Sequence, residues 1–187
     1  MSLLAVQGGA TGTGTVTLLA PVTNTNRTLT LPDATGTVLT NATTTGFPAG
    51  SVLQVVNATT TSSTSTTSSS FVTTSFSVSI TPTSASSKIL VMMSGGNFDN
   101  NSASNAAIFA SFYRNNSTNL GSTSGISMLK SVTARLLASG SLLVFDSPAT
   151  TSATTYTLYI ASESGQSVAF NNSGGLLATL IAMEIAA

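Results

Sequence analysis

The sequence contains no cysteine, no histidine and no tryptophan, and it has only five basic and five acidic residues among 187. The absence of cysteine excludes disulfides and thiolate metal sites. The absence of histidine removes the usual general base near neutral pH and the commonest metal ligand. The basic residues are scattered and the net charge is zero, so we expect neither nucleic-acid binding nor attraction to an acidic membrane surface.

Hydroxyl side chains replace the missing charge, because 31 serines and 33 threonines are present. Global disorder is excluded, since 41% of the residues are hydrophobic and the mean hydropathy is +0.37, whereas disordered chains have low hydrophobicity. The length suits one domain with an extension, or two small domains. A neutral surface rich in hydroxyls offers little charge repulsion against association, which suits a protein that works in an assembly.

The start of the chain, MSLLAVQGG, lacks the charged segment and the long apolar core of a signal peptide. The longest apolar run, LLATLIAM, is far too short to span a bilayer. We therefore expect no targeting signal and no membrane insertion.

Alternation of apolar and polar residues dominates the region after residue 46. Phe76, Val78 and Ile80 alternate with polar residues, and Tyr156, Leu158 and Ile160 do the same. Seven or eight such segments, separated by turn residues, predict an all-β fold: an antiparallel, jelly-roll-like β-sandwich over residues 46–187. Residues 128–138 fit a helix or a strand, and valine and threonine favour a strand. The serine- and threonine-rich residues 58–70 are predicted to form a mobile surface loop.

Residues 1–45 contain short β-patterned runs around the turn Pro32–Gly36 but few large side chains. Such a segment cannot form its own core, so we expect a β-rich arm or anchor, joined to the sandwich by the glycine- and proline-containing stretch 46–51. The candidate partner contacts are the charged and large apolar residues of this arm: Arg27, Leu29, Leu31, Asp33, Val38 and Leu39.

The last segment, LLATLIAMEI, is apolar on both faces, which only a central strand or a strand buried in an interface tolerates. One of its faces carries Leu177, Ile181, Met183 and Ile185.

The five carboxylates offer little support for catalysis. We expect Asp33 and Asp146 to cap turns, and Glu184 to pair with Lys88 or Arg135, which leaves Asp99 and Glu163 for a hydrolase hypothesis. Asn97 to Asn101 offer oxygen ligands for Ca²⁺ near Asp99, although an asparagine-rich turn is favoured. We assign no catalytic residue, no cofactor and no metal site.

Several segments resemble tailed-bacteriophage virion proteins. RTLTLPDATGTVLT (27–40) is similar to a segment of fibre and virion proteins, and FPAGSVLQVV (47–56), FSVSITPTSASSKILV (76–91), FDSPATTSATTYTLYI (145–160) and ATLIAMEIA (178–186) resemble a C-terminal β-domain of such proteins. The resemblance implies a homotrimeric virion component with a jelly-roll-like head and no catalytic residues. Leu177, Ile181, Met183 and Ile185 then become the candidate trimer interface.

Because only residues 1–45 precede the β-domain, we do not expect the extended shaft of a long fibre. The favoured hypothesis is a capsid decoration (cement) protein on the head exterior, whose arm contacts the major capsid protein or another virion protein. The alternative is a short tail fibre that attaches to the host, where Tyr113, Tyr156 and Tyr159 could support binding to a surface glycan. A polysaccharide depolymerase that uses Asp99 and Glu163 is the third hypothesis.

Overall fold

The computed structural model describes residues 47–101, 105–173 and 175–187, together with a few residues between 11 and 28. These residues form eleven β-strands and no helix. The strands are β1 (Val52–Thr60), β2 (Thr64–Thr66), β3 (Val72–Ile80), β4 (Lys88–Asp99), β5 (Ala106–Arg114), β6 (Thr118–Asn119), β7 (Ser127–Ser131), β8 (Leu137–Asp146), β9 (Thr154–Ser162), β10 (Val168–Phe170) and β11 (Ala178–Ile185).

The strands pair into two antiparallel sheets that pack as a sandwich. The six-stranded sheet has the order β1-β11-β4-β10-β2, and β8 pairs with the other side of β4. The five-stranded sheet has the order β3-β9-β5-β6, and β7 also pairs with β5. The predicted all-β sandwich is therefore confirmed. The predicted boundary between residues 45 and 46 stays a prediction.

The core lies between the sheets and follows the alternation that the sequence shows. Phe76, Val78 and Ile80 of β3 are buried, as are Tyr156, Leu158 and Ile160 of β9. Three phenylalanines join the two sheets, because Phe170 stacks on Phe76 at 6.0 Å between ring centroids and contacts Phe98 at 5.8 Å. Burial of each such side chain contributes about 2 kcal/mol to folding.

The predicted mobile loop over residues 58–70 is wrong in part. β1 extends through Thr60, and Thr64–Thr66 form β2, which pairs with Val168–Phe170. Backbone hydrogen bonds of a strand need no particular side chain, so a low-complexity segment can still add a strand. Residues 128–138 contain the end of β7 and the start of β8, which confirms the predicted strand over the helix.

Polar residues close one end of the sandwich. Asp146 of β8 accepts hydrogen bonds from Arg114 Nη1 at 2.8 Å and from Tyr156 Oη at 2.8 Å, both on the opposite sheet. The pKa of Tyr156 lies far above its usual range. Burial is the largest cause, and the hydrogen bond to Asp146 is the second. The prediction that Asp146 caps a turn is therefore wrong, because its carboxylate instead ties the two sheets together.

No helix among the described residues is long and apolar enough to cross a membrane.

Candidate interaction surface

The outer side of the six-stranded sheet carries large apolar side chains that the described part of the chain leaves partly exposed. Alternation along each strand places them there, since their neighbours in sequence point into the core. In β8, Leu142 is 3% exposed whereas Leu143 is 54% and Phe145 is 59% exposed. We call this surface the apolar face. Its members are Val52, Val55, Leu90, Met92, Leu143, Phe145, Ile181, Met183 and Ile185.

Strand register arranges most of the apolar face in two continuous rows. In the first row, Val55 of β1 lies beside Met183, Met183 beside Leu90, and Leu90 beside Phe145. Cross-strand neighbours of this kind have Cβ atoms about 5 Å apart, so the four side chains form one contiguous patch.

The second row crosses the same four strands. It begins at Asn57 of β1 and continues through Ile181, Met92 and Leu143. Because it lies two residues along each strand from the first row, both rows point to the same side of the sheet.

Charge is nearly absent from the apolar face. Lys88 lies at its margin, beside Ile185, and the two central rows contain no charged residue. The acidic residue of β11, Glu184, is buried on the inner side. A contiguous apolar patch of several hundred Å² is characteristic of a protein interaction site, so this surface suits a partner that is also uncharged.

Glu184 has a different environment from the one that the sequence predicts. Its carboxylate accepts hydrogen bonds from Gln54 Nε2 at 2.6 Å, from the Thr83 backbone N–H at 2.7 Å and from Thr83 Oγ1 at 2.8 Å. Burial raises the pKa of Glu184, but these donors outweigh it and the pKa lies below its usual value. The expected cation partner is therefore wrong, because neutral donors satisfy the carboxylate.

The two carboxylates considered for a hydrolase are both engaged in ion pairs. Asp99 is buried and accepts hydrogen bonds from Arg135 Nε at 3.0 and 3.1 Å. Glu163 pairs with Lys130 at 2.6 Å between Oε2 and Nζ. The two residues do not share an ion pair or a hydrogen bond in the described structure. Among the described residues no group of three or more acidic residues gathers as a metal site.

The predicted trimer-interface residues fall on or near the apolar face. Ile181, Met183 and Ile185 are half-buried on it, and β11 is a central strand between β1 and β4, as expected. Leu177 precedes β11 and is exposed. The role of these four residues in a trimer stays a prediction. The six predicted arm contacts, Arg27, Leu29, Leu31, Asp33, Val38 and Leu39, lie outside the described residues.

The sequence interpretation missed the contributions of three other strands to this surface. KILVMM in β4 and SLLVFD in β8 are apolar on both faces, which is the same signal that singled out the last segment. Val55 of β1 carries a weaker signal, since a single exposed valine in a strand is ordinary.

Comparisons with known proteins show similarity to solved structures but no family. No protein-family model matches the sequence, and no curated protein matches it. The chain is similar in structure to the D431N mutant VP2 protein of infectious bursal disease virus, from derived T=1 particles, with a TM-score of 0.34 and 18% sequence identity. The match covers 81% of this chain and 41% of that one, so this chain spans about two fifths of the length of its neighbour. A TM-score at this level carries no argument about function.

Proposed function

We propose that the protein is a structural component of a tailed-bacteriophage virion: a homotrimeric decoration protein on the capsid exterior that binds and stabilises the major capsid shell. In this proposal, the sandwich supplies the contacts between copies through the apolar face, and the arm over residues 1–45 contacts the capsid. No catalytic residue, cofactor or metal is assigned.

The observation that carries this proposal is the uncharged apolar face. Exposed apolar surface of this extent favours burial at about 25 cal/mol per Å². Further copies of this chain are suitable partners, because uncharged faces packed around a threefold axis meet without repulsion or the desolvation of charge. A specific contact buries about 1,000 Å² or more in total, so both rows of the apolar face would take part in it.

A matched pair of variants tests the role of the apolar face. Leu143→Lys places a charge at the β8 end of the second row, whereas Met128→Lys places it on β7 of the other sheet, where Met128 is 55% exposed. We expect light scattering to give a trimer for the wild type and for Met128→Lys, and a monomer for Leu143→Lys. A monomeric wild type, or equal behaviour of the two variants, would overturn this role.

The arm is tested separately. In the full-length chain, Leu29→Asp with Leu31→Asp should abolish binding to purified expanded capsids and leave the oligomeric state unchanged. Thr28→Asp with Thr30→Asp adds the same charge at alternate positions and should retain most of the binding. Capsid binding that survives the leucine substitutions would contradict the assignment of the arm.

A short tail fibre that binds a host-surface glycan is the second candidate function. It is favoured by the stacked rings of Tyr113 and Tyr159, 4.1 Å apart between centroids, with Phe71 at 5.8 Å from Tyr113. Tyr156 does not belong to this cluster, since it is buried in the core and bonded to Asp146. Copy number in purified virions separates the two functions, because a decoration protein should approach the copy number of the capsid subunits and a fibre that of the tail proteins.

A further inference from the structure

Two long strands at opposite edges of the six-stranded sheet have an open outer side. β1 has nine residues and pairs with β11, and β8 has ten residues and pairs with β4. No other described strand pairs with either of them. A strand edge of this kind presents a row of unpaired backbone N–H and C=O groups, which can pair with another chain.

The other edge strands in the described structure carry the features that oppose such pairing. β2 and β6 have only three and two residues. β7 carries Lys130, and β3 has a bulge between Thr73 and Ser77, where Ser75 has a φ of +61°. Short strands, lysine and bulges all hinder association between sheet edges.

β1 and β8 lack this protection. β1 contains no charged residue and no proline, and its pairing with β11 is regular over residues 54–60. The pairing of β8 with β4 is regular over residues 141–146. The one charged residue of β8, Asp146, is buried and bonded to Arg114 of the opposite sheet, so it does not guard the outer edge.

Burial along the same two strands also indicates open edges. Leu180 and Ala182 of the central strand β11 point into the core and are fully buried. Ala58 and Val56 of β1 lie directly beside them, and Val144 of β8 points to the same side, yet all three are only partly buried. A further strand beside each edge would complete the burial of these side chains.

We propose that β8 of one copy pairs with β1 of the next copy around a threefold axis, so that three copies of the six-stranded sheet form a closed prism with their apolar faces inside. This inference rests on the homotrimer of the proposed function. Strand direction is compatible, because β1, β11, β4 and β8 alternate in direction. Rotation about an axis parallel to the strands therefore sets β8 antiparallel to the next β1, in a head-to-tail contact that closes after three copies.

The dimensions of this prism agree with the spacing at which sheets pack. Each copy contributes four neighbouring strands, so with about 4.8 Å between strands each side of the prism is about 19 Å long. The centre of such a triangle lies about 5.5 Å from each side, which is close to half of the ~10 Å that separates sheets packed face to face. The side chains of the apolar face therefore fill the interior.

The rotation also fixes which residues meet between copies. The first row of the apolar face ends at Val55 on β1 and at Phe145 on β8. An adjacent uncharged row ends at Thr59 on β1 and at Ser141 on β8. Because rows run perpendicular to the strands, the rotation keeps each row at one level, so Phe145 meets Val55 of the next copy and Ser141 meets Thr59 of the next copy.

Engineered disulfides test this pairing, because the chain has no cysteine of its own. In the full-length protein, Thr59→Cys with Ser141→Cys should give a covalent trimer on a non-reducing gel after oxidation, and so should Val55→Cys with Phe145→Cys. A bond within one copy is excluded, since β1 and β8 are three strand spacings, about 14 Å, apart, whereas a disulfide needs Cα atoms within about 7 Å.

The matched control joins the same two edges at different levels. Thr59→Cys with Phe145→Cys displaces the two thiols by four residues, about 13 Å along the strands, and should cross-link about 10-fold more slowly or less. Equal rates for this pair and the two level pairs would overturn the proposal. Covalent dimers of Ser141→Cys alone would also overturn it, because they require β8 to pair with itself about a twofold axis.

Light scattering under reducing conditions separates this inference from the proposed function. The variant Thr59→Cys with Ser141→Cys lies outside the two apolar rows and should remain trimeric like the wild type. A trimer in which neither level pair cross-links would overturn the pairing of the edges and leave the homotrimer intact. A monomeric wild type would overturn both.

Discussion

The outer sides of the two sheets differ in how far the rest of the chain covers them. On the five-stranded sheet, Ser111 points outward from β5 yet is fully buried, because the chain folds residues 119–126 over it. Ser111 Oγ donates to Asn119 Oδ1, and Ile126 N–H donates to Ala110 O at 2.8 Å. On the six-stranded sheet, no described segment covers Leu143 or Phe145.

This difference shows that the open face of the six-stranded sheet is not explained by a lack of loops that could cover it. The chain has loops long enough to cover an outer face and uses them on the side that carries hydroxyl and tyrosine side chains. The side that carries two apolar rows stays open in the described structure, although it would gain more from burial. We infer that the apolar face is retained for contact with another molecule.

The largest effect is expected when substitutions of two adjacent leucines of β8 are compared. Leu142→Ala removes a core side chain and should lower the free energy of unfolding by about 3 kcal/mol. Leu143→Ala, on the apolar face, should lower that of the isolated subunit by less than about 0.5 kcal/mol. Urea unfolding at a protein concentration low enough to dissociate the proposed trimer provides the measurement.

The same two variants should reverse their order in an association assay. Leu143→Ala should weaken the proposed trimer more than Leu142→Ala does, as measured by the protein concentration at which the trimer dissociates. Equal losses of subunit stability would contradict the open state of the apolar face.

A second prediction concerns the cover of the five-stranded sheet. Gly125 has φ +82°, and a Cβ there would lie 2.5 Å from Ala110 O and 3.0 Å from Phe71 Cζ. Gly125→Ala should therefore cost about 3 kcal/mol in free energy of unfolding, through backbone strain and overpacking together.

Gly50 provides the matched control, because its φ is +85° and nothing lies within 4 Å of its Cβ position. Gly50→Ala should cost only about 1 kcal/mol, from backbone strain alone. If the two substitutions cost the same, the segment 119–126 does not pack against β5 as closely as the structure shows.

The sequence predicts those features of the fold that depend on local alternation. Phe76, Val78 and Ile80 lie on one side of a strand wherever that strand pairs, so their burial follows from spacing alone. β2 could not be predicted in this way, since Thr64–Thr66 contribute backbone pairing and no apolar pattern.

The apolar face required long-range information. The sequence shows that β4, β8 and β11 are apolar on both sides. The register that places Leu90 between Met183 and Phe145, however, joins segments that are far apart in the chain. Glu184 is a similar case, because its donors Gln54 and Thr83 lie 130 and 101 residues away. The sequence suggests a cation as the partner of the Glu184 carboxylate, whereas the fold provides the neutral donors Gln54 and Thr83.

The smallest predicted effect concerns Asp99, at the end of the six-stranded sheet where the outer side becomes covered. Burial raises the pKa of Asp99, but hydrogen bonds from Arg135, from the Asn101 backbone N–H and from Asn172 outweigh it, so the pKa lies below its usual value. A carboxylate with a lowered pKa stabilises the fold above the pKa of the unfolded chain, and this stability is lost as the pH falls through the folded value.

Between pH 6 and pH 3, Asp99→Asn should therefore lose roughly 1 kcal/mol less stability than the wild type does. Glu184 also has a lowered pKa and remains in both proteins, so the difference between the two curves isolates Asp99. At pH 6, the control Glu163→Gln removes a surface ion pair with Lys130 and should change the free energy of unfolding by less than about 1 kcal/mol. If Asp99→Asn loses as much stability as the wild type on acidification, the ion pair between Asp99 and Arg135 does not stabilise this end of the six-stranded sheet.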